Sequence, residues 1–258
     1  MSVSLTTVAL FSLLAAPQPD GRDLIRAAHA RYAGKWFTTM TFVQKTTFPG
    51  RPSTSPGGLV QTWYETMQMP GMLRIDLAPA ASGNGMLFRN DSLYQLAGGK
   101  VRGARAMKHS MLILLHDIHA VPAEVTIANL ESLGFDLGKT HETTFEGAPV
   151  IVVGAVAGDT TSKQFWIEKE RLLLVRLIEP NAGGGMDAHF GGYVRHGGAW
   201  VERVIKIHQG GKLNQLEEYM DVRTDVTLEP GLFDPARSTP PSWVGKGEER
   251  WPAPPARP

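Results

Sequence analysis

"MQMPGMLRIDLAP", residues 67–79, holds three methionines, a proline–glycine pair and one arginine set among apolar side chains. Proline presets φ for the first central position of a tight turn, and glycine tolerates the positive φ of the second, so Pro70-Gly71 divides the stretch into two strands. These are "LVQTWYETMQM" (59–69) and "MLRIDLA" (72–78). Successive side chains of a strand point to opposite faces. Trp63, Glu65, Met67 and Met69 therefore share one face of the first strand, and Leu73, Ile75 and Leu77 one face of the second. Arg74 and Asp76 fall on the alternate face and are expected to point outward without a catalytic role. The shared apolar face is either core or the lining of a ligand cavity, and methionine's flexible, polarizable side chain suits a surface that accommodates variable apolar shapes.

Working outward, "KWFTTMTFVQKTTFPG" (35–50) is rich in β-branched and aromatic residues alternating with polar ones, which favours another strand. "MLFRNDSLYQL" (86–96) predicts a hairpin turning at Asn90-Asp91, and "RPSTSPGG" (51–58) a loop. A helix precedes the strands: Asp20 or Asp23 caps it, and Ile25, Ala28 and Tyr32 fall at helical spacing before Gly34. The middle is also helical. Met107, Met111, Leu114, Leu115 and Ile118 form one stripe of "ARAMKHSMLILLHDIHA" (104–120), and Pro122 opens a second helix that Gly134 ends. Strands then return as "PVIVVGAVA" (149–157) and "KQFWIEKERLLLVRLIEP" (163–180), the latter turning within 168–171. A final meander turns at Gly197-Gly198 and Gly210-Gly211. The fold class is α+β: one domain built on a large, strongly curved antiparallel sheet, with an N-terminal helix and two helices in the middle of the chain.

Three parts follow along the chain. Residues 1–19 contain an apolar run, Val8 to Ala16, too short to span a bilayer and suited to an export signal. Residues 20–235 form a single domain. The Pro-rich remainder, 236–258, has no periodicity and is expected to be disordered or draped over the surface, with Trp243 and Trp251 as anchors. The 26 basic and 25 acidic side chains nearly cancel, which gives no electrostatic reason for a nucleic-acid partner. The chain has no cysteine, so disulfides, zinc–thiolate sites, thiol catalysis and a lipidated N-terminal cysteine are all excluded.

Motifs for chemistry are weak. His109, His116 and His119 lie close in sequence, but no HExxH pattern accompanies them, and His109 and His116 fall opposite the Met111/Leu115 stripe, on an expected solvated face. Glycine-rich "NAGGGMDAHFGG" (181–192) lacks the residues of a phosphate loop, and no GxSxG elbow is present. Glu168, Glu170, Glu217 and Glu218 are expected as isolated solvated charges, which leaves a hydrolytic carboxylate pair unsupported. No cofactor and no catalytic residue is assigned.

The order of elements resembles the periplasmic outer-membrane lipoprotein carrier (LolA) superfamily. The similar segments are "TFVQKT" (41–46) after an N-terminal helix, "MPGMLRIDLAP" (69–79), "LFRNDSLYQL" (87–96) and the closing "DVRTDVTLEPGLFDP" (221–235). Together they run from about residue 22 to 235. The resemblance implies an unclosed antiparallel β half-barrel with an N-terminal helix and helices packed as a lid, in an exported, monomeric, non-enzymatic carrier with a cavity for a lipid or for lipoprotein acyl chains. It further implies an inner-membrane transporter or regulator and an outer-membrane acceptor as partners. On this reading Phe42, Trp63, Met67, Met69, Leu73, Ile75 and Phe165 line the cavity, with Met111 and Leu115 on the lid. One departure stands out: the carrier's basic residue before the hairpin proline, which holds its lid shut, is here Met69. An alternative within the same fold is an envelope-stress sensor of the RseB type.

Overall fold

The computed structural model describes residues 20–53, 57–237 and 239–245. The expected export signal and Trp251 lie outside the described residues. Helix α1 (Gly21–Tyr32) starts at Asp20, whose carboxylate accepts the Arg22 N–H at 2.7 Å and satisfies one of the free donors of the first turn. It buries Leu24, Ile25, Ala28 and Tyr32.

Fifteen strands follow among the described residues. The first six, β1 (Thr39–Phe48), β2 (Leu59–Gln68), β3 (Met72–Leu77), β4 (Gly85–Arg89), β5 (Ser92–Ala97) and β6 (Lys100–Ala106), form one antiparallel meander. The helical segment then crosses over. Ser110–Leu112, Ile113–Asp117 and Ile118–Ala120 are consecutive pieces, the middle one with π-type hydrogen bonding, and together make helix α2. Helix α3 (Ala123–Ser132) follows Pro122. The second meander comprises β7 (Thr140–Phe145), β8 (Ala148–Val153), β9 (Gln164–Glu168), β10 (Leu174–Glu179), β11 (Met186–Gly191), β14 (Val204–Gln209) and β15 (Lys212–Thr224). A small separate hairpin, β12 (Val194–His196) and β13 (Ala199–Val201), interrupts it.

The two meanders join where β1 pairs with the long β15, giving a 13-stranded sheet in the order β6-β5-β4-β3-β2-β1-β15-β14-β11-β10-β9-β8-β7. Its ends, β6 and β7, stay unpaired with each other, so the curved sheet is open. Register shifts in β1/β15, β14/β15, β5/β6 and β9/β10 supply the local twist that curls it. The core lies on the concave face, where Met40, Phe42, Met67, Leu73, Ile75 and Phe88 meet Leu112, Leu114, Leu115 and Ile118 of α2.

Two element predictions need correction. Residues 104–106, read as the start of a helix, belong instead to β6, because Gly98 and Gly99 take φ of 59° and 71° and fold the chain back onto β5. Hairpin pairing there outweighs helical propensity. Strand β7 was missed, since its two solvent-facing sides leave no apolar alternation to detect.

The convex face is covered too. Residues 226–237 and 239–245 cross the backs of β2, β3 and β4, with Leu228, Leu232 and Phe233 packed on Met72, Leu87 and Tyr94. Trp243 sits edge-on to Tyr64, its indole N–H 3.3 Å from the Thr66 hydroxyl. This covering changes the reading of Arg74. It does lie on the alternate face with Asp76, but neither reaches solvent: Arg74 is 0% and Asp76 3% exposed.

Candidate functional site

The concave face and helix α2 enclose a cavity of about 170 Å³. Cross-strand register builds its wall: Trp63 stands opposite Leu77, Glu65 opposite Ile75, and Met67 opposite Leu73, with Phe88 and Met86 next along on β4. Of the residues expected from sequence, Trp63, Met67, Leu73, Ile75, Met111 and Leu115 line this cavity together. Phe42, Met69 and Phe165 are not among its lining residues. Phe42 is stacked against Tyr219 with ring centroids 4.2 Å apart, and Phe165 packs edge-on to Phe135 in the β9 half of the sheet. Met69 is partly buried at the hairpin tip. A second hollow of about 380 Å³ opens between the Pro70-Gly71 turn, the Asn90-Asp91 turn and the helices α2 and α3. The two spaces share Phe88, His109 and Leu112, whose side chains form the partition between them.

Sequence reading missed the polar end of the cavity. Glu65 on β2, Glu217 on β15 and Glu202 just before β14 all line it, with exposures of 4%, 7% and 1%. The isolated, solvated role expected for Glu217 is therefore wrong. Its carboxylate accepts the Gln215 amide at 2.6 Å and the Tyr219 hydroxyl at 3.2 Å, side chains two positions away on the same strand face. Glu168 is also buried rather than solvated, its oxygens accepting the Glu170 and Arg171 N–H groups and the Arg171 guanidinium. The three cavity carboxyls are joined only through tertiary pairing: β1 brings β2 beside β15, and β15 brings β14.

Burial disfavours their charged forms. It raises Glu202 to about 8 and Glu217 to about 7, the latter held back by the Gln215 and Tyr219 hydrogen bonds. Burial, reinforced by Glu217 and Glu202, lifts Glu65 well above the usual carboxylate range. One Glu202 oxygen has no hydrogen-bond partner in the protein, an arrangement that costs about 1–3 kcal/mol for a buried polar atom. His116 Nε2 lies 3.7 Å from it, but burial drops the imidazole to about 3. At neutral pH the two are a neutral ring beside a protonated acid, not an ion pair.

No protein-family model matches the chain, and no curated protein sequence matches it. Solved structures do. A domain from Vibrio parahaemolyticus described as an outer membrane lipoprotein-sorting protein superimposes with a TM-score of 0.52 at 11% identity, covering 83% of this chain and 96% of that one. A DUF1329 family protein from Desulfovibrio piger gives 0.51 at 15% identity, over 83% and 95% of the two chains. The chain shares its fold with these two structures. A LolA superfamily protein from Nitrosomonas europaea aligns over 82% of this chain and 96% of that one, at 10% identity and a TM-score of 0.48.

Helix α2 packs on the concave face, and its histidines are not where the periodicity placed them. The π-type turn at 113–117 breaks the helical phase, and Trp36 and Phe37 cover the side expected to face solvent. His116 and His119 are 0% and 3% exposed, and the His119 ring stacks near Trp36 with centroids 3.9 Å apart. His109 accepts the Leu112 N–H as a helix cap and stands edge-on to Phe88. Among the described residues no group of three His, Asp or Glu side chains is placed to hold a metal ion.

The lid is tied to the hairpin without a basic residue at position 69. Gly71, at φ 69° in the turn, donates its N–H to the Asp117 carboxylate of α2 at 3.0 Å. Burial raises Asp117 to about 6, partly offset by that same hydrogen bond. Asp117→Ala removes the only side-chain acceptor of this contact, worth about 1.5–3 kcal/mol for a hydrogen bond to a charged group. Amide exchange across residues 110–120 is expected to quicken roughly tenfold or more, with the strands unchanged. Unchanged exchange in the lid would show that this contact does not hold it down.

Proposed function

We propose that the protein is a non-enzymatic carrier that takes an amphiphile's hydrocarbon chain into the cavity between sheet and lid, and acts in the periplasm after export. The observation that carries this reading is the apolar cavity itself, lined by Trp63, Met67, Leu73, Ile75, Met111 and Leu115 and separated from an open hollow by Phe88, His109 and Leu112. The LolA-like fold supports it, since one similar structure is described as a lipoprotein-sorting protein. Among the described residues no helix is long and apolar enough to cross a membrane. Membrane donors and acceptors of the cargo are the partners this role requires.

At about 170 Å³ the cavity is smaller than the roughly 300–1,000 Å³ that drug-sized ligands fill. Uptake of a whole acyl chain therefore needs the lid, residues 107–134, to swing from the sheet. Each methylene then buried contributes about 0.8 kcal/mol. The test uses the neutral apolar dye N-phenyl-1-naphthylamine, whose fluorescence rises on leaving water. Wild-type protein should bind it, and Ile75→Trp, which fills the cavity, should weaken binding at least tenfold while keeping the circular dichroism of the wild type. Equal dye binding by both proteins, or none by either, would contradict the cavity as the binding site.

A further inference from the structure

The polar end of the cavity discriminates among amphiphiles. Resting on the carrier reading above, we propose that the cargo bears a primary ammonium headgroup, seated among Glu65, Glu202 and Glu217, with its hydrocarbon chain along the Met67–Leu73–Ile75 wall.

Four observations converge on this chemistry. Three carboxyls from separate stretches of the chain line one small cavity, so it offers acceptors in excess of donors. Glu202 is 1% exposed and lines the same space, and its oxygen nearest His116 is buried with no hydrogen-bond partner in the protein. Among the described residues, no lysine or arginine lines the cavity. The closest arginine in sequence to Glu202, Arg203, is committed elsewhere, its Nε donating to the Tyr219 carbonyl at 2.7 Å. The other titratable groups near the cluster include Tyr219 from β15, Tyr193 beside Glu202, and His109 and His116 from the lid, and burial keeps all four neutral at pH 7.

An ammonium brings three N–H donors and a positive charge to this set of acceptors. A hydroxyl headgroup supplies one donor, and a carboxylate headgroup supplies none and brings a negative charge that opposes ionisation of the three carboxyls. An opposite charge within about 4–6 Å favours the ionised carboxylate. Glu202 and Glu217 hold their protons near neutrality, so a cation seating beside them expels a proton to solvent, leaving a carboxylate–ammonium pair. A neutral amphiphile in the same place expels none.

The experiment compares dodecylamine, dodecanol and dodecanoate, each below its micellar concentration, as competitors of N-phenyl-1-naphthylamine at pH 7. Dodecylamine should compete at least tenfold more strongly than dodecanol, and dodecanoate most weakly. Calorimetry in buffers of different ionisation enthalpy should show proton release with the amine and none with the alcohol. On Glu65→Gln/Glu217→Gln the ratio of amine to alcohol competition, read on that same variant, should fall from at least tenfold to about one. Equal competition by the three headgroups in the wild type, or an amine that releases no proton, overturns the proposal whether or not the variant folds. In that outcome the carrier reading stands, because the dye is still bound and displaced. Absence of dye binding altogether refutes the carrier reading instead.

Discussion

Asp76→Asn is expected to lower the free energy of unfolding by about 3–5 kcal/mol, the range seen when one partner of a buried ion pair is removed. Arg74 and Asp76 point the same way from one strand, two residues apart, and form a two-pronged pair: Nε to Oδ2 at 2.8 Å and Nη2 to Oδ1 at 2.9 Å. The remaining nitrogen, Nη1, donates to the Leu232 and Arg237 carbonyls at 3.2 and 3.3 Å. The guanidinium therefore pins the C-terminal segment to the back of the sheet, assisted by Arg89, whose Nη1 donates to the Phe233 carbonyl at 3.0 Å. With the carboxylate gone, a full charge stays buried with only carbonyl acceptors. Replacing both partners, as Arg74→Met/Asp76→Leu, should recover most of the loss, because apolar groups of similar volume leave no charge unpaired. Urea unfolding of the three proteins decides the matter. A single variant within about 1 kcal/mol of wild type would show that the charge is solvated in solution and the segment not docked.

Stability is expected to fall as pH rises from 6.5 to 8.5. Glu202 and Glu217 keep their protons in the folded protein up to about pH 8 and 7, and Glu65 is raised in the same direction. In the unfolded chain these groups ionise near 4.3. Between those limits the folded state binds more protons, so each rise in pH favours unfolding. Histidines act in the opposite sense. Burial lowers His109 to about 4 and His116 and His119 to about 3, against about 6.5 when unfolded. They remove stability as pH falls below 6.5. The two slopes oppose each other between about pH 4.5 and 6.5, and only the carboxyl slope survives above it. At about 1.4 kcal/mol per unit, Glu202 with the smaller share of Glu217 gives a loss of roughly 2–3 kcal/mol across this window. That corresponds to a fall in Tm of roughly 5–10 °C for a chain of this size. Glu202→Gln should flatten the curve and make the protein more stable than wild type at pH 8.5. A wild-type Tm that holds steady from pH 6.5 to 8.5 would mean that water reaches these carboxyls.

The hairpins were legible because local chemistry decides them: Pro70-Gly71, Asn90-Asp91 and Gly210-Gly211 all turn where their backbone preferences require. Alternation on β2 and β3 placed Trp63, Met67, Leu73 and Ile75 on one wall, because strand periodicity is exact over short runs. Phe42 and Phe165 also belong to the concave side, but Tyr219 and Phe135 cover them, and such contacts join residues far apart in sequence. The carboxyl cluster was hidden for the same reason. Glu65 and Glu217 become neighbours only when the first strand pairs with the last, and a lone glutamate in a strand reads as solvated. His116 escaped because one π-type turn shifts the helical phase, and Arg74 because residues 226–237 and 239–245 cover a face that alternation assigns to solvent.

Native mass spectrometry of the protein isolated directly from cells tests the carrier reading most directly, with Ile75→Trp isolated in parallel. Wild type should carry one amphiphile per chain that is released on unfolding, and the cavity-filled variant should carry none. The same adduct on both proteins, or a wild type that arrives bare and takes up no amphiphile from lipid vesicles, would contradict a cargo held between the sheet and its lid.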